Sequence, residues 1–192
     1  MSLGVVVVGS VALDTLEIRG DVYPDVLGGS ASFFSIAAAH FAPVRLVAVV
    51  GEDFPEQHRG YLQGRGIDLG GLERAPGKTF RWRGRYSDDL SSRTSLDTQL
   101  NVFADFRPLL PTSYRDAELL FLGNIHPALQ LDVLDQVKDP KLVAMDTMNF
   151  WIDGELPTLN DLRALVSSFK LTINPLVRKK TRTILGDTVT AH

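Results

Sequence analysis

The sequence predicts an α/β protein: a parallel sheet with helices on both faces and a small antiparallel β layer standing off it. Three observations carry that expectation. Short β-branched runs that stop at glycine, at 5–8 and 44–50, are the pattern of strands buried on both faces. These runs alternate with stretches of helical spacing, the rhythm of a sheet wound on both sides. Segments at 12–20, 79–86 and 98–106 instead alternate apolar and polar residues, which suits a half-exposed sheet.

Each element follows from its residues. "GVVVVGS" at 4–10 is the first buried strand, and "ALDTLEIRG" at 12–20 is an exposed antiparallel one. From 30 to 41 the apolar residues fall at Phe33, Ala37 and Phe41 and at Phe34 and Ala38, which is helical spacing. "VRLVAVVG" at 44–51 is a second buried strand. "PEQHRGYLQGRG" at 55–66 opens with proline at a first helical position and ends in glycines. "TFRWRGRY" at 79–86 and "TQLNVFADF" at 98–106 return to alternation. Then come a strand at 117–123, a helix at 126–137, a strand at 141–146, a helix at 158–169 and a strand at 170–174. No repeat or low-complexity segment interrupts the chain, so residues 1–192 are expected to form one domain.

Composition narrows the function classes. With 44% hydrophobic and 22% charged residues the chain has the balance of an ordinary globular protein. A net charge of −3 gives no global pull toward nucleic acid or a membrane surface. The absence of cysteine removes disulfides, thiolate metal sites and thiol catalysis, and suits a reducing cytoplasm. No apolar run approaches the roughly 20 residues of a membrane span, and the start has no basic flank of a secretion signal.

Open α/β sheets bind ligands beyond the carboxyl ends of their strands. Those ends carry Ser10 and Asp14, then Gly51, Glu52 and Asp53, then Gly123, Asn124 and His126, then Asp146, Thr147 and Asn149, and finally Asn174. Carboxylates and amides with few cations suit a hydroxyl-rich ligand; each residue alone also fits as a strand-end cap or turn. "GGSASFFSIAAAHF" sets Gly28 and Gly29 directly before a helix, where the backbone either turns sharply or is approached closely. "GLERAPGKT" at 71–79 is not a P-loop, because five residues rather than four separate its glycines and a strand pattern follows. "FRWRGRY" interleaves Arg81, Arg83 and Arg85 with Phe80, Trp82 and Tyr86. That pattern fits a single-stranded nucleic acid surface, but the net charge favours a two-faced strand with packed aromatics and solvated arginines. His40, His58, His126 and His192 lack metal-ligand spacing.

Together "GSVALDTLE", "GGSASFFSIAAAHF" and "VRLVAVVGEDFPEQHRGYLQGRGID" resemble the start of a ribokinase-like (pfkB-type) carbohydrate kinase over roughly residues 4 to 174. The matching pieces are Gly9 to Asp14, the glycine pair, Val50 to Asp53 and Gly66 to Asp68. The resemblance implies a Rossmann-like sheet, with the alternating strands forming a lid over a sugar or nucleoside. It implies that Asp14 accepts sugar hydroxyls, that Gly28 and Gly29 let them reach the backbone, and that Asn124 is a polar contact. A side chain at Gly29 is then expected to harm binding more than folding. The resemblance also implies ATP and magnesium, with Asn174 at the metal motif, and a homodimer through the lid.

Three departures shape the expectation. Phe33 stands where the family often has asparagine, which points to a different or more apolar substrate. The motif opening at Asn174 has Val177 where the family has glutamate. The family's G-A-G-D, source of the anion hole and the catalytic base, is absent; Asp187 follows a single glycine. The expected protein is therefore a C-terminally truncated sugar kinase, inactive by itself and without a catalytic residue. The alternative is a non-catalytic sugar- or nucleoside-binding or dimerisation module. A downstream reading frame encoding G-A-G-D would favour the first.

Overall fold

The first strand shows how the sheet is built. In a computed structural model that describes residues 4–166 and 168–172, β1 (Val5–Val8) sends its valines alternately to two hydrophobic clusters. Val5 and Val7 pack with Ala31 of α1 (Ser30–Ala38) and Leu62 of α2 (Glu56–Gly64). Val6 and Val8 pack with Val133 of α3 (Pro127–Leu134), Ile152 of α4 (Asn149–Gly154), and Leu159 and Leu162 of α5 (Leu156–Leu165). A strand covered on both faces has no polar side to offer, which is why its sequence reads as unbroken valine. Each such side chain contributes on the order of 1.5–3 kcal/mol by leaving water.

β4 (Val44–Gly51), β5 (Ile67–Ala75), β8 (Leu119–Leu122), β9 (Leu142–Met148) and β10 (Ser168–Thr172) complete a parallel sheet in the order β10-β9-β8-β1-β4-β5. The chain winds outward from β1 to β4 and β5, then returns to the other side of β1 at β8. The winding direction thus reverses between β1 and β8, and the carboxyl ends at such a reversal are where open α/β sheets carry their ligand crevice.

Two excursions from this sheet form the lid. β2 (Ala12–Ile18) and β3 (Asp21–Gly28) are an antiparallel hairpin inserted between β1 and α1. β6 (Arg81–Tyr86) and β7 (Arg93–Gln99) are a second hairpin inserted after β5. The hairpins join through β2 and β6, which run parallel, in the order β3-β2-β6-β7. Across that seam Arg83 and Arg85 both donate to Glu17, at 2.8 and 2.7 Å. Bonds from Arg85 first, then Arg83, hold the Glu17 carboxyl below its ordinary range.

The expectation of a strand at 98–106 is corrected. β7 ends at Gln99, and Asn101–Asp105 is a 3-10 turn. The alternation in "NVFADF" comes from aromatic packing: Phe103 stacks on Phe80 at 5.3 Å and on Phe106 at 5.7 Å. β2 is shorter than 12–20 and lies inside the lid sheet, with β3 as a further edge strand. Its turn, Arg19–Gly20, has φ of 52° and 91°, the left-handed pair that a two-residue hairpin requires.

Candidate functional site

At the carboxyl end of β1 the chain turns through Ser10 toward the lid, and α1 begins beside it. Ser10 caps that helix: its hydroxyl accepts from the Ser30 N–H at 3.0 Å and its carbonyl from the Ala31 N–H at 3.0 Å. Two of the helix's free donors are therefore used internally. Across the crevice the Gly123 N–H donates to the Val8 carbonyl at 2.7 Å, which brings the end of β8 against β1. A Cβ on Gly123 would sit 2.7 Å from Ser30 Oγ, so only glycine permits this approach.

The glycine pair answers to its own chain. Gly29 has φ 95° and ψ 146°, and a Cβ there would meet the Ser10 carbonyl oxygen at 2.3 Å. The space beside Gly29 is filled by backbone, so the expected reason for a binding-selective Gly29 variant is corrected: the first casualty is the turn. A Cβ on Gly28 would fall 2.1 Å from Asp14 Oδ2. Gly28 is thus the floor on which the Asp14 carboxylate lies.

Asp14 itself is half-buried and has no hydrogen bond from any described residue. Burial pushes its pKa up from 3.8 to about 6, against a smaller opposing pull from Arg93. Burying a carboxylate without donors is costly, and the site keeps that cost.

Asp53, grouped with Asp14 by sequence, has a different job. Its carboxylate accepts from the Thr79 N–H and the Thr79 hydroxyl, both at 2.7 Å, and from Arg81 at 3.0 Å. Burial works to raise its pKa, but the bonds from Thr79 and Arg81 outweigh it and the net shift is downward. Gly51 lets this segment cross, since a Cβ would lie 2.4 Å from the Gly77 oxygen. "VGED" is therefore the latch that docks the lid. Arg81 is not free in solvent but bridges Asp53 to Asp25 of β3 at 2.5 Å.

Asn124 stands at the crevice on the β8 side, and its Oδ1 accepts from Trp151 Nε1 at 3.0 Å. His126 caps α3 by accepting from the Ala128 N–H at 3.1 Å. Asp146 and Thr147 lie within β9 rather than beyond it. Gln130, which nothing in its sequence context singles out, is fully buried and donates to the carbonyls of Gly123 at 2.8 Å and Asp146 at 3.1 Å. It positions the loop that carries Asn124.

Asn174, Val177 and Asp187 lie outside the described residues. Among the described residues no three carboxylate or histidine side chains converge as metal ligands, and none is assigned to magnesium or ATP. No described helix is long and apolar enough to cross a membrane.

No protein-family model matches the chain. A cytidine kinase of Thermococcus kodakarensis is 29% identical over 175 residues, 88% of this chain and 60% of that protein. A Methanocaldococcus jannaschii nucleoside kinase, described as an archaeal member of the ribokinase family, superposes with a TM-score of 0.72 at 15% identity, over 95% of this chain and 64% of its own. A Burkholderia thailandensis nucleoside kinase in complex with inosine gives 0.73 at 12% identity, with 95% and 64% covered. The chain thus spans about three fifths of the length of these relatives. In fold it is ribokinase-like, and the resemblance read from its sequence holds.

Proposed function

We propose that this chain is the acceptor-binding part of a ribokinase-like phosphotransferase, the lineage that phosphorylates a carbohydrate hydroxyl from ATP. The observation that carries this reading is Asp14: an unpartnered, half-buried carboxylate on the lid strand β2, which follows the β1 end where the sheet reverses. Adjacent hydroxyls of a sugar or nucleoside supply the two donors it lacks. Such charge-assisted bonds contribute roughly 1.5–3 kcal/mol each. They favour the ionised carboxylate, so affinity is expected to rise as pH climbs through about 6. Gly28 makes room for that carboxylate, and Gly29 and Ser10 fix the turn beneath it. Asn124, one oxygen already taken by Trp151, keeps its amide N–H groups for the ligand. A homodimer through the lid fits its unpaired outer strand β7, which is exposed along its whole length.

A second reading, a binding module without catalysis, uses the same unpartnered carboxylate. Enzymes that lose one anion-hole donor slow by roughly 10²–10³, and loss of the general base removes about 10²–10⁴ more, so turnover separates the two readings. Calorimetric titration with nucleosides, pentoses and hexoses, beside a coupled assay with ATP and magnesium, tests both readings. The expected outcome for the 192-residue polypeptide by itself is saturable binding with turnover near background. Sugar-dependent turnover well above the no-enzyme control would overturn the reading of these 192 residues as an acceptor-binding part alone.

A further inference from the structure

The lid presents more than a cover. Strand register sets Trp82 of β6 directly beside Asp14 of β2, so both side chains leave the same face of the sheet. The indole lies flat along its strand: a Cβ on Gly84 would come within 2.0 Å of the ring. Its Nε1–H donates to Ser95 Oγ of β7 at 3.1 Å, which fixes the ring plane. The Arg93 guanidinium stands over the ring at 5.8 Å from its centre, and the same cation acts on the Asp14 carboxylate. Asp14, Trp82 and Arg93 thus form one constellation: a carboxylate without donors, an aromatic surface locked by Gly84 and Ser95, and a cation shared between them. The alternation in "FRWRGRY" suits packed aromatics, yet this one lies over a glycine, with Ser95 and Arg93 beside it, and remains half-exposed.

We propose that Trp82, with Arg93 opposite it, is the shelf on which a planar heteroaromatic base stacks, so that the acceptor is a nucleoside rather than a free sugar. This rests on the reading of Asp14 as the hydroxyl-binding carboxylate. From Asp14 to the Gly84 position is one strand across and two residues along, roughly 8 Å by ordinary sheet spacing. That is about the span from a nucleoside's vicinal hydroxyls to the middle of its base. An indole locked by Gly84 and Ser95 already holds its plane for an incoming ring, and Arg93, 5.8 Å from the ring centre, shifts outward to cover the base's other face as a stacking cation. A free pentose reaches Asp14 but leaves this surface wet.

Calorimetry with cytidine, inosine and ribose tests the proposal through a ratio. Base–aromatic stacking makes the wild-type chain prefer nucleoside over ribose by roughly 5- to 150-fold. Trp82→Ala should bring that ratio close to one, and Trp82→Phe should keep most of it, with melting temperatures confirming that both variants fold. Asp14→Asn should weaken nucleoside and ribose together and leave the ratio standing. A preference that survives Trp82→Ala, or a wild-type chain that binds ribose as tightly as cytidine and inosine, overturns the shelf while leaving Asp14 in place. If Asp14→Asn weakens neither class of ligand, the acceptor reading of Asp14 falls, whatever Trp82 does. If Trp82 is the shelf, nucleoside also quenches its fluorescence in a Trp151→Phe background, where it is the sole tryptophan; unchanged emission at saturation counts against it.

Discussion

Asp14 and Asp53 come shortly after the neighbouring strands β1 and β4, Asp14 on the lid strand β2 and Asp53 just past β4, yet their surroundings are opposite. Asp53 accepts three bonds and its pKa falls; Asp14 accepts none and its pKa rises to about 6. A carboxylate saturated by its own protein holds the fold together. One that is desolvated and left unsaturated stores a binding interaction at the expense of stability. The contrast separates latch from site without appeal to any relative, and it can be broken experimentally at either end.

The largest effect is expected at the turn both regions depend on. Gly29→Val places a side chain into the Ser10 carbonyl at a φ of 95° and should destabilise the chain by more than about 3 kcal/mol. Chemical denaturation measures it; a variant that melts like the parent while losing ligand would restore the view that Gly29 serves the ligand alone. Asp53→Ala comes next. It strands the Thr79 N–H and leaves Arg81 with Asp25 alone, and should cost about 2–4 kcal/mol. The damage should concentrate in the lid, seen as faster amide exchange at 77–86, while the valine strands keep their protection.

Asp14→Asn should do the reverse. At pH 7.5 the ionised Asp14 opposes folding, because its folded pKa of about 6 lies above the ordinary 3.8. A raised carboxyl contributes stability only below 3.8, and that contribution is lost as pH rises through 6. The variant should therefore melt at or above the parent temperature at pH 7.5, with the difference shrinking to nothing near pH 4. A melting temperature that drops at pH 7.5 would make Asp14 a structural residue like Asp53. Gly28→Ala is the mildest change: its methyl displaces the Asp14 carboxylate and should weaken ligand binding several-fold with a smaller loss of stability than Gly29→Val.

The same contrast explains what the sequence could reveal. Buried strands announce themselves, because two covered faces leave only apolar runs, and β1, β4 and β8 fall where those runs lie. Edge strands do not. β3 carries Pro24 and a run of exposed residues, β5 contains Gly70 and Gly71, and β7 is exposed throughout, so none shows a regular pattern. The strand-end rule singled out Asp14, Gly28, Gly29 and Asn124, of which Gly28 lies directly against the Asp14 carboxylate. It could not tell Asp14 from Asp53, since the partners that saturate Asp53 lie 26 and 28 residues away along the chain. Trp82 was legible as an aromatic in an alternating strand, but which face it takes is set by register against β2, and register is a tertiary fact.

The central claim, that Asp14 is left unpaired so that ligand hydroxyls can complete it, predicts a proton. Near pH 6 about half of the Asp14 carboxyls are protonated. Hydroxyl donors favour the ionised form, so binding should release up to ~0.5 proton per ligand. Titrating nucleoside into the chain at pH 6 in buffers of different ionisation enthalpy measures this directly. The account predicts release from the parent chain and none from Asp14→Asn; binding that releases no proton, or releases the same amount from both, would contradict it.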